Sequence, residues 1–196
     1  MRERSTDVLV VEDNTELASL YSSWLGAEWA VTSVADGDEA VEAVTEETEI
    51  VVLDRRLPGR SGDEVLERVR EDGNDCQVVI VTAVEPDFDI IEMGFDDYLV
   101  KPVDRETLNR CLERLKRRSE YDEELRKYYA QVSKKAVLEA RKPEHELYDS
   151  EEYLELEACV DEQAERADEL LDELLATGGD ARLFHGLLGG YAGTAN

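Results

Sequence analysis

The stretch VVLDRRLPGRSG, residues 51–62, decides the fold, because a short apolar run ends there in one aspartate, Asp54, and the chain leaves through Pro58-Gly59. A run of this length bounded by turn residues is typical of a strand buried inside a parallel sheet. Ligands of open α/β sheets bind at the carboxyl ends of the strands, which is where Asp54 would lie. An aspartate at a strand end is most often a turn or cap residue, so its role depends on what the other strands carry.

Four further Val-rich runs lie within the first 119 residues, and amphipathic helical patterns separate them. We expect five strands at residues 7–13, 30–36, 50–54, 77–83 and 97–102. All five are apolar on both alternating faces, which predicts burial on both sides. The fourth helical pattern, residues 87–94, is short and weak, and Asp104 is a good N-cap for the fifth. Alternating βα units predict a doubly wound, five-stranded parallel sheet in the flavodoxin-like order 2-1-3-4-5.

The pattern changes after Ser119, where no strand signal returns. We therefore expect one domain over residues 1–119 and a small all-α domain over residues 120–196. Its helices are predicted at about residues 120–142 and 150–176, with the polar loop EHELYDS between them. Pro143 ends the first helix, and Asp149 or Ser150 caps the second. The second helix fits a heptad, which favours a helical hairpin or a dimerising pair, and the last residues, GLLGGYAGTAN, are predicted to fray.

The charge is extreme, with 49 acidic and 22 basic residues giving a net charge of −27. The excess acidic side chains repel one another at low ionic strength. At about 1 M salt the Debye length falls to about 3 Å, so this repulsion is largely screened. The composition resembles that of proteins from halophilic archaea. An acidic disordered chain is the competing interpretation, and the apolar periodicity argues against it. The charge also disfavours nucleic acid as a default partner.

Several classes of protein are disfavoured by what the sequence lacks. No apolar run reaches the roughly 18 to 20 residues that span a bilayer, and the first residues do not resemble a signal peptide, so we expect a cytoplasmic protein. The three cysteines are scattered and the two histidines isolated, which argues against a disulfide framework or a zinc site. The phosphate-binding patterns GxxxxGK and GxGxxG are absent. Arg56 stands where aspartate-nucleophile phosphatases carry an acid, so an enzyme is not expected.

Polar side chains do end four of the predicted strands. Glu12 and Asp13 follow the first strand, Asp54 the third, Thr82 the fourth and Lys101 the fifth. Three carboxylates packed together repel one another, and Mg²⁺ is the hard cation that one or two carboxylates and a phosphoryl group usually share. The ammonium of Lys101 and the hydroxyl of Thr82 would complete a site for a dianionic phosphoryl group on a carboxylate. Asp54 is the candidate nucleophile.

Four spaced motifs carry a family resemblance: VEDN (11–14), LDRRLPGRSG (53–62), VTA (81–83) and DDYLVKP (96–102). On these motifs residues 7–118, about 57% of the chain, resemble the receiver domain of two-component response regulators. The resemblance implies that Asp54 accepts a phosphoryl group from a sensor histidine kinase and that the chain has only self-phosphorylation and self-dephosphorylation chemistry. It also implies that Mg²⁺ is held by Glu12, Asp13, Asp54 and the backbone carbonyl of Arg56. Thr82 and Lys101 would bind the phosphoryl group. Tyr98 would be a switch residue, and the peptide bond before Pro102 would be cis.

Two mild departures from the family pattern lie just after the acceptor in sequence. Leu57 stands where Met is common before Pro-Gly, and Arg55 where a small or apolar residue is common. Arg55 and Arg56 are most simply solvated loop charges, or they shape the rim that faces the kinase.

The tail resembles the HalX helical domain, which follows receivers in halophilic archaea and is grouped with transcriptional regulators. The match rests on position, composition and the region YDEELRKYYAQVSKKAVLE, residues 121–139. Twenty acids against eight bases after residue 119 favour protein interaction or dimerisation as its output. A DNA-binding transcriptional regulator is the alternative, because residues 110–142 hold eleven bases against six acids. A homodimer would use either the tail or the face built from the fourth helix, fifth strand and fifth helix.

Overall fold

Five parallel strands form one sheet in a computed structural model, which describes residues 7–177. The strands are β1 (Asp7–Val11), β2 (Ala30–Val34), β3 (Thr48–Leu53), β4 (Gln77–Thr82) and β5 (Asp97–Val100). Their order is β2-β1-β3-β4-β5, and all four neighbouring pairs are parallel. The predicted fold class and strand order are confirmed. The predicted frayed segment after Thr177 lies outside the described residues.

The helices begin where the sequence supplies a cap. They are α1 (Thr15–Leu25), α2 (Gly37–Ala43), α3 (Gly62–Glu71), a 3₁₀ helix (Phe88–Glu92), α4 (Arg105–Glu139), α5 (Glu144–Tyr148) and α6 (Glu151–Thr177). Asn14 accepts from the first backbone N–H groups of α1, and Ser61 with Glu64 forms a capping box for α3. The carboxylate of Asp104 accepts from the Thr107 N–H at 2.7 Å, as predicted for the start of α4.

The core of the sheet domain consists of two apolar clusters, one on each face. Val8 and Val10 of β1 pack with α1 and the first part of α4, whereas Leu9 and Val11 pack with α2 and α3. Because alternate residues of a strand point to opposite faces, both faces of β1, β3 and β4 are buried. Because these central strands run parallel, their carboxyl ends lie at the same edge of the sheet.

The prediction that every strand is buried on both faces is wrong for β2 and β5. Three of the five residues of β2 are exposed, and the residues of β5 are half-buried. Both strands lie at the edges of the sheet, where only one neighbour covers them. Valine content therefore does not separate an edge strand from a central one.

The connection between β4 and β5 contains a 3₁₀ helix in place of an α-helix. Residues 87–94, predicted as a weak helix, form only the 3₁₀ helix Phe88–Glu92. Phe88 and Ile91 are 82% and 74% exposed, and no residue of the 3₁₀ helix is buried. The short helices α2 and α5 bury Ala40 and Leu147, so the 3₁₀ helix lacks the apolar packing that stabilises a short α-helix.

The chain divides into two compact units, residues 1–116 and 117–196, and the division falls within α4. A separate helix starting near residue 120 was predicted, but α4 continues without a break from Arg105 to Glu139. The sequence has no glycine or proline there that would interrupt it. The predicted polar loop EHELYDS is also wrong, because residues 144–148 form α5 with Pro143 as its N-cap.

The helices of the second unit pack through apolar positions of α6. Of the heptad positions predicted there, Leu156 is half-buried and the others are buried: Tyr153, Val160, Ala167, Leu170 and Leu174. Two polar contacts join α6 to the last turns of α4. Lys135 donates to Glu157 at 2.8 Å, and the Tyr153 hydroxyl donates to Glu139 at 3.0 Å. Within residues 7–177, no helix is long and apolar enough to cross a lipid bilayer.

Candidate functional site

The ends of β1 and β3 bring the first two carboxylates together. Val11 pairs with Leu53, and the Asp54 N–H donates to the Val11 carbonyl at 3.0 Å. Glu12 and Asp54 therefore lie just past two hydrogen-bonded strand ends, 3% and 7% exposed respectively. Their placement follows directly from the parallel register of the sheet.

Glu12, Asp13 and Asp54 form a cluster in which one oxygen from each side chain lies within 4.8 Å of the others. Asp13 is exposed, so the cluster is open to solvent on one side. Mg²⁺ prefers hard oxygen ligands and keeps several water molecules. The donor set and its open side fit that ion.

Lys101 places a positive charge between two of these carboxylates. Its Nζ lies 2.6 Å from Glu12 Oε2 and 2.5 Å from Asp54 Oδ2. Burial alone would lower the pKa of Lys101, but its hydrogen bonds to Asp54 and Glu12 outweigh this and raise that pKa above its usual value. Burial also raises the pKa of Glu12, although Lys101 opposes the increase. The Lys101 ammonium is thus held charged beside the carboxylate cluster.

The backbone around Lys101 is fixed by its neighbours. The Lys101 N–H donates to the Thr82 carbonyl at 2.8 Å, which extends the pairing of β4 with β5. The Lys101–Pro102 peptide bond is cis, as predicted. The hydrogen bond to Thr82 holds the Lys101 backbone at the end of β5, beside the carboxylate cluster.

Thr82 and Tyr98 lie on adjacent strands near the same edge. Thr82 is fully buried at the end of β4, and its hydroxyl accepts from the Val84 N–H at 3.4 Å. Tyr98 is half-buried, its ring contacts Phe95, and its hydroxyl donates to the Val84 carbonyl at 2.7 Å. Val84 therefore connects both side chains through the segment that follows β4.

The loop after Asp54 is folded tightly against the strand end. The Arg56 N–H donates to Asp54 Oδ1 at 3.0 Å, and the Gly62 N–H donates to the Arg55 carbonyl at 3.0 Å. A Cβ at residue 62 would stand 2.1 Å from the Asp54 carbonyl oxygen, so only glycine fits there. The metal-binding role predicted for the Arg56 carbonyl stays a prediction.

For Arg55, the expectation of a solvated loop charge is wrong. Its side chain is only 10% exposed and forms ion pairs with Asp63 and Asp89, whereas Arg56 is exposed as expected. Sequence reasoning missed this residue because its partners lie 8 and 34 positions away. The only available signal was an arginine in a place where the family commonly has an apolar residue.

Family models match both parts of the chain. Residues 8–113 match the response regulator receiver domain. The chain belongs to that family. Residues 117–183 match the HalX domain, so this response regulator combines a receiver with the helical tail that its sequence resembles.

A relative of this response regulator comes from a halophilic archaeon. A Haloferax volcanii protein named as a transcriptional regulator is 44% identical over 155 residues, which are 79% of this chain and 25% of that protein. The chain spans about half the length of the further curated regulators it matches.

Solved receiver domains share the fold. The signal receiver domain of a Luxo repressor protein from Vibrio parahaemolyticus superposes with a TM-score of 0.57 at 26% identity, covering 61% of this chain and 95% of that domain. The receiver domain of a Pseudomonas aeruginosa sensor histidine kinase has a TM-score of 0.51 at 30% identity, covering 57% of this chain and 97% of that domain. That structure has a magnesium ion coordinated in its active-site cleft.

Proposed function

We propose that this response regulator accepts a phosphoryl group on Asp54 from a sensor histidine kinase, and that phosphorylation changes the output of its HalX tail. One observation carries the proposal: the carboxylates of Glu12, Asp13 and Asp54 meet at the edge of the sheet where Lys101 contacts two of them. This cluster combines a nucleophile, a hard-cation site and a fixed positive charge in one place. The receiver family to which the chain belongs supports the same function.

The transfer exchanges one bond to phosphorus for another. An Asp54 carboxylate oxygen attacks the phosphorus of the kinase phosphohistidine, an O–P bond forms, and the N–P bond breaks. The departing imidazole nitrogen takes up a proton from water. Glu12, Asp13, Asp54 and the Arg56 carbonyl would hold Mg²⁺, which would supply positive charge to offset the charge of the phosphoryl oxygens.

Three further side chains respond to the phosphoryl group. Lys101, now bound to the Asp54 carboxylate, is close enough to bind a phosphoryl oxygen in its place. The Thr82 hydroxyl donates to a second oxygen once Thr82 turns toward Asp54. Tyr98 then loses its contact with the Val84 carbonyl, and this rearranges the segment after β4. The chemistry of the chain itself is limited to self-phosphorylation and self-dephosphorylation.

The test is phosphate incorporation from a small phosphodonor such as acetyl phosphate in molar KCl. We expect one phosphoryl group per chain in the presence of Mg²⁺, none in the presence of a chelator, and release of the label by hydroxylamine, which cleaves acyl phosphates. A label that resists hydroxylamine, or that forms equally well without a divalent cation, contradicts the proposal.

The tail acts through a protein partner, which is the output we favour. Tyr129 and Val137, two turns apart on α4, are exposed apolar side chains, 60% and 64% exposed, that a protein partner could cover. Direct DNA binding is the second candidate, because the named relatives are transcriptional regulators. Molar salt weakens phosphate contacts, which counts against DNA.

Two measurements on the phosphorylated chain separate these outputs. We expect phosphorylation-dependent self-association of the chain, measured by light scattering in molar KCl, to be lost when Tyr129 and Val137 are both replaced by Ser. Leu20→Ser, which changes an exposed apolar residue of α1, is the matched control and is expected to have no effect. A sequence-specific shift of promoter DNA in molar KCl would favour DNA binding instead.

A further inference from the structure

The guanidinium of Arg55, next in sequence to the proposed acceptor, binds two carboxylates. Its Nε and Nη2 donate to the two carboxylate oxygens of Asp63 at 2.9 and 2.7 Å, and Nη2 also donates to Asp89 at 2.6 Å. Arg55 is 10% exposed, whereas Asp63 and Asp89 are 45% and 52% exposed. The cation is therefore buried, and two anions reach it from the surface.

These contacts connect three separate segments of the receiver. Arg55 follows Asp54, Asp63 lies in the first turn of α3, and Asp89 lies in the 3₁₀ helix after β4. The 3₁₀ helix has little apolar packing of its own, since Phe88 and Ile91 are exposed. The ion pair with Arg55 is thus one of the contacts that hold this segment in place.

The same guanidinium also lies next to the proposed switch. The hydrogen bond to Asp63 raises the pKa of Arg55 well above its usual value, burial opposes the increase, and Asp89 and Tyr98 add to it. Nη1 of Arg55 is buried and donates to no atom of the described residues. The Tyr98 hydroxyl uses its proton on the Val84 carbonyl, so its oxygen remains able to accept a hydrogen bond.

We propose that Arg55 is a positioning residue that holds the segment after Thr82, together with the Tyr98 side chain, in the arrangement described here, and so opposes the phosphorylated state. The inference rests on the proposed function of Asp54. The Thr82 hydroxyl accepts from the Val84 N–H, so turning it toward a phosphoryl group releases the chain that follows, and Asp89 in that chain is bound to Arg55. The ion pairs favour one of the two states and set how easily the receiver switches.

A purely structural role for Arg55 leads to a different expectation. Contacts that stabilise both states equally do not change the affinity for a ligand of one state. Beryllofluoride, a phosphoryl mimic that binds an aspartate with Mg²⁺, is such a ligand. Its affinity therefore separates a residue that biases the switch from one that only supports the fold.

The test is beryllofluoride binding by calorimetry in molar KCl with Mg²⁺. Arg55→Met removes the cation and keeps an unbranched side chain, and we expect it to tighten binding about fivefold or more. Asp89→Asn is expected to act in the same direction with a smaller effect. In the Arg55→Met background, Asp89→Asn should add almost nothing, because both changes remove the same contact.

Arg60→Met is the matched control, since Arg60 lies in the same loop and pairs with Asp38 at 3.2 Å. Both side chains of that pair are exposed, 38% and 68%, and molar salt screens it. Binding to this variant is expected to equal that of the wild-type chain.

Unchanged or weaker binding in Arg55→Met and Asp89→Asn, with a wild-type chain that binds, overturns the inference and leaves the proposed function intact. If Arg55→Met fails to fold, the affinity of the surface variant Asp89→Asn for beryllofluoride tests the inference by itself. Failure of the wild-type chain to bind beryllofluoride overturns the proposed function and this inference together.

Discussion

Replacing Asp54 by Asn is expected to lower phosphate incorporation at least about a thousandfold, to the background of the assay. The amide has the shape of the carboxylate but lacks the anionic oxygen that attacks phosphorus. The substitution also removes one of the negative charges that meet at the edge of the sheet, so the chain should remain folded. Phosphate incorporation from a small phosphodonor with Mg²⁺, together with circular dichroism, measures both effects.

Asp38→Asn is the matched control for this experiment. Asp38 is an exposed acid in α2, which packs beside the acceptor loop, and it contacts only Arg60 among the ion pairs described here. Its substitution is expected to leave incorporation within about twofold of the wild-type value. Undiminished labelling of Asp54→Asn would place the acceptor on another residue.

Gly62→Ala is expected to destabilise the receiver by at least about 3 kcal/mol. The new methyl group would stand 2.1 Å from the Asp54 carbonyl oxygen and 2.8 Å from the Arg55 Cα, both backbone atoms that cannot rotate away. Either the start of α3 or the acceptor loop then has to shift, so phosphorylation should fall as well. Urea unfolding in molar KCl measures the loss of stability.

Gly94→Ala is the control for added volume at a glycine. A Cβ there would meet the Arg70 Cγ at 3.4 Å, an ordinary van der Waals contact. We expect a change within about 1 kcal/mol. A Gly62→Ala chain as stable as the wild type would show that the loop between Asp54 and α3 is less tightly packed than described here.

The sheet was predictable because its signals are local. Short Val-rich runs alternate with amphipathic segments, and right-handed crossovers leave few ways to connect five parallel strands. Edge and centre were not separated, because the prediction relied on valine content and gave no weight to Thr32 and Ser33, the polar residues of the edge strand β2. The length of α4 was also missed, because the sequence was divided where its composition changes rather than where a helix-ending signal occurs.

The candidate site was predictable as far as it follows from strand ends. Glu12, Asp54 and Lys101 come directly after strands or close to their ends, and the parallel register brings them within hydrogen-bonding distance. The surroundings of Arg55 could not be predicted in the same way. Its carboxylate partners come from α3 and from the 3₁₀ helix, and only the folded chain places them around one guanidinium.

The position of the phosphoryl group in the wild-type chain tests the central claim most directly. Reduction with borohydride converts an aspartyl phosphate into homoserine, which peptide mass spectrometry locates. After incubation with a phosphodonor and Mg²⁺, we predict homoserine at residue 54 and at no other aspartate. Homoserine at another position, or none while phosphate is incorporated, would contradict the assignment of Asp54 as the acceptor.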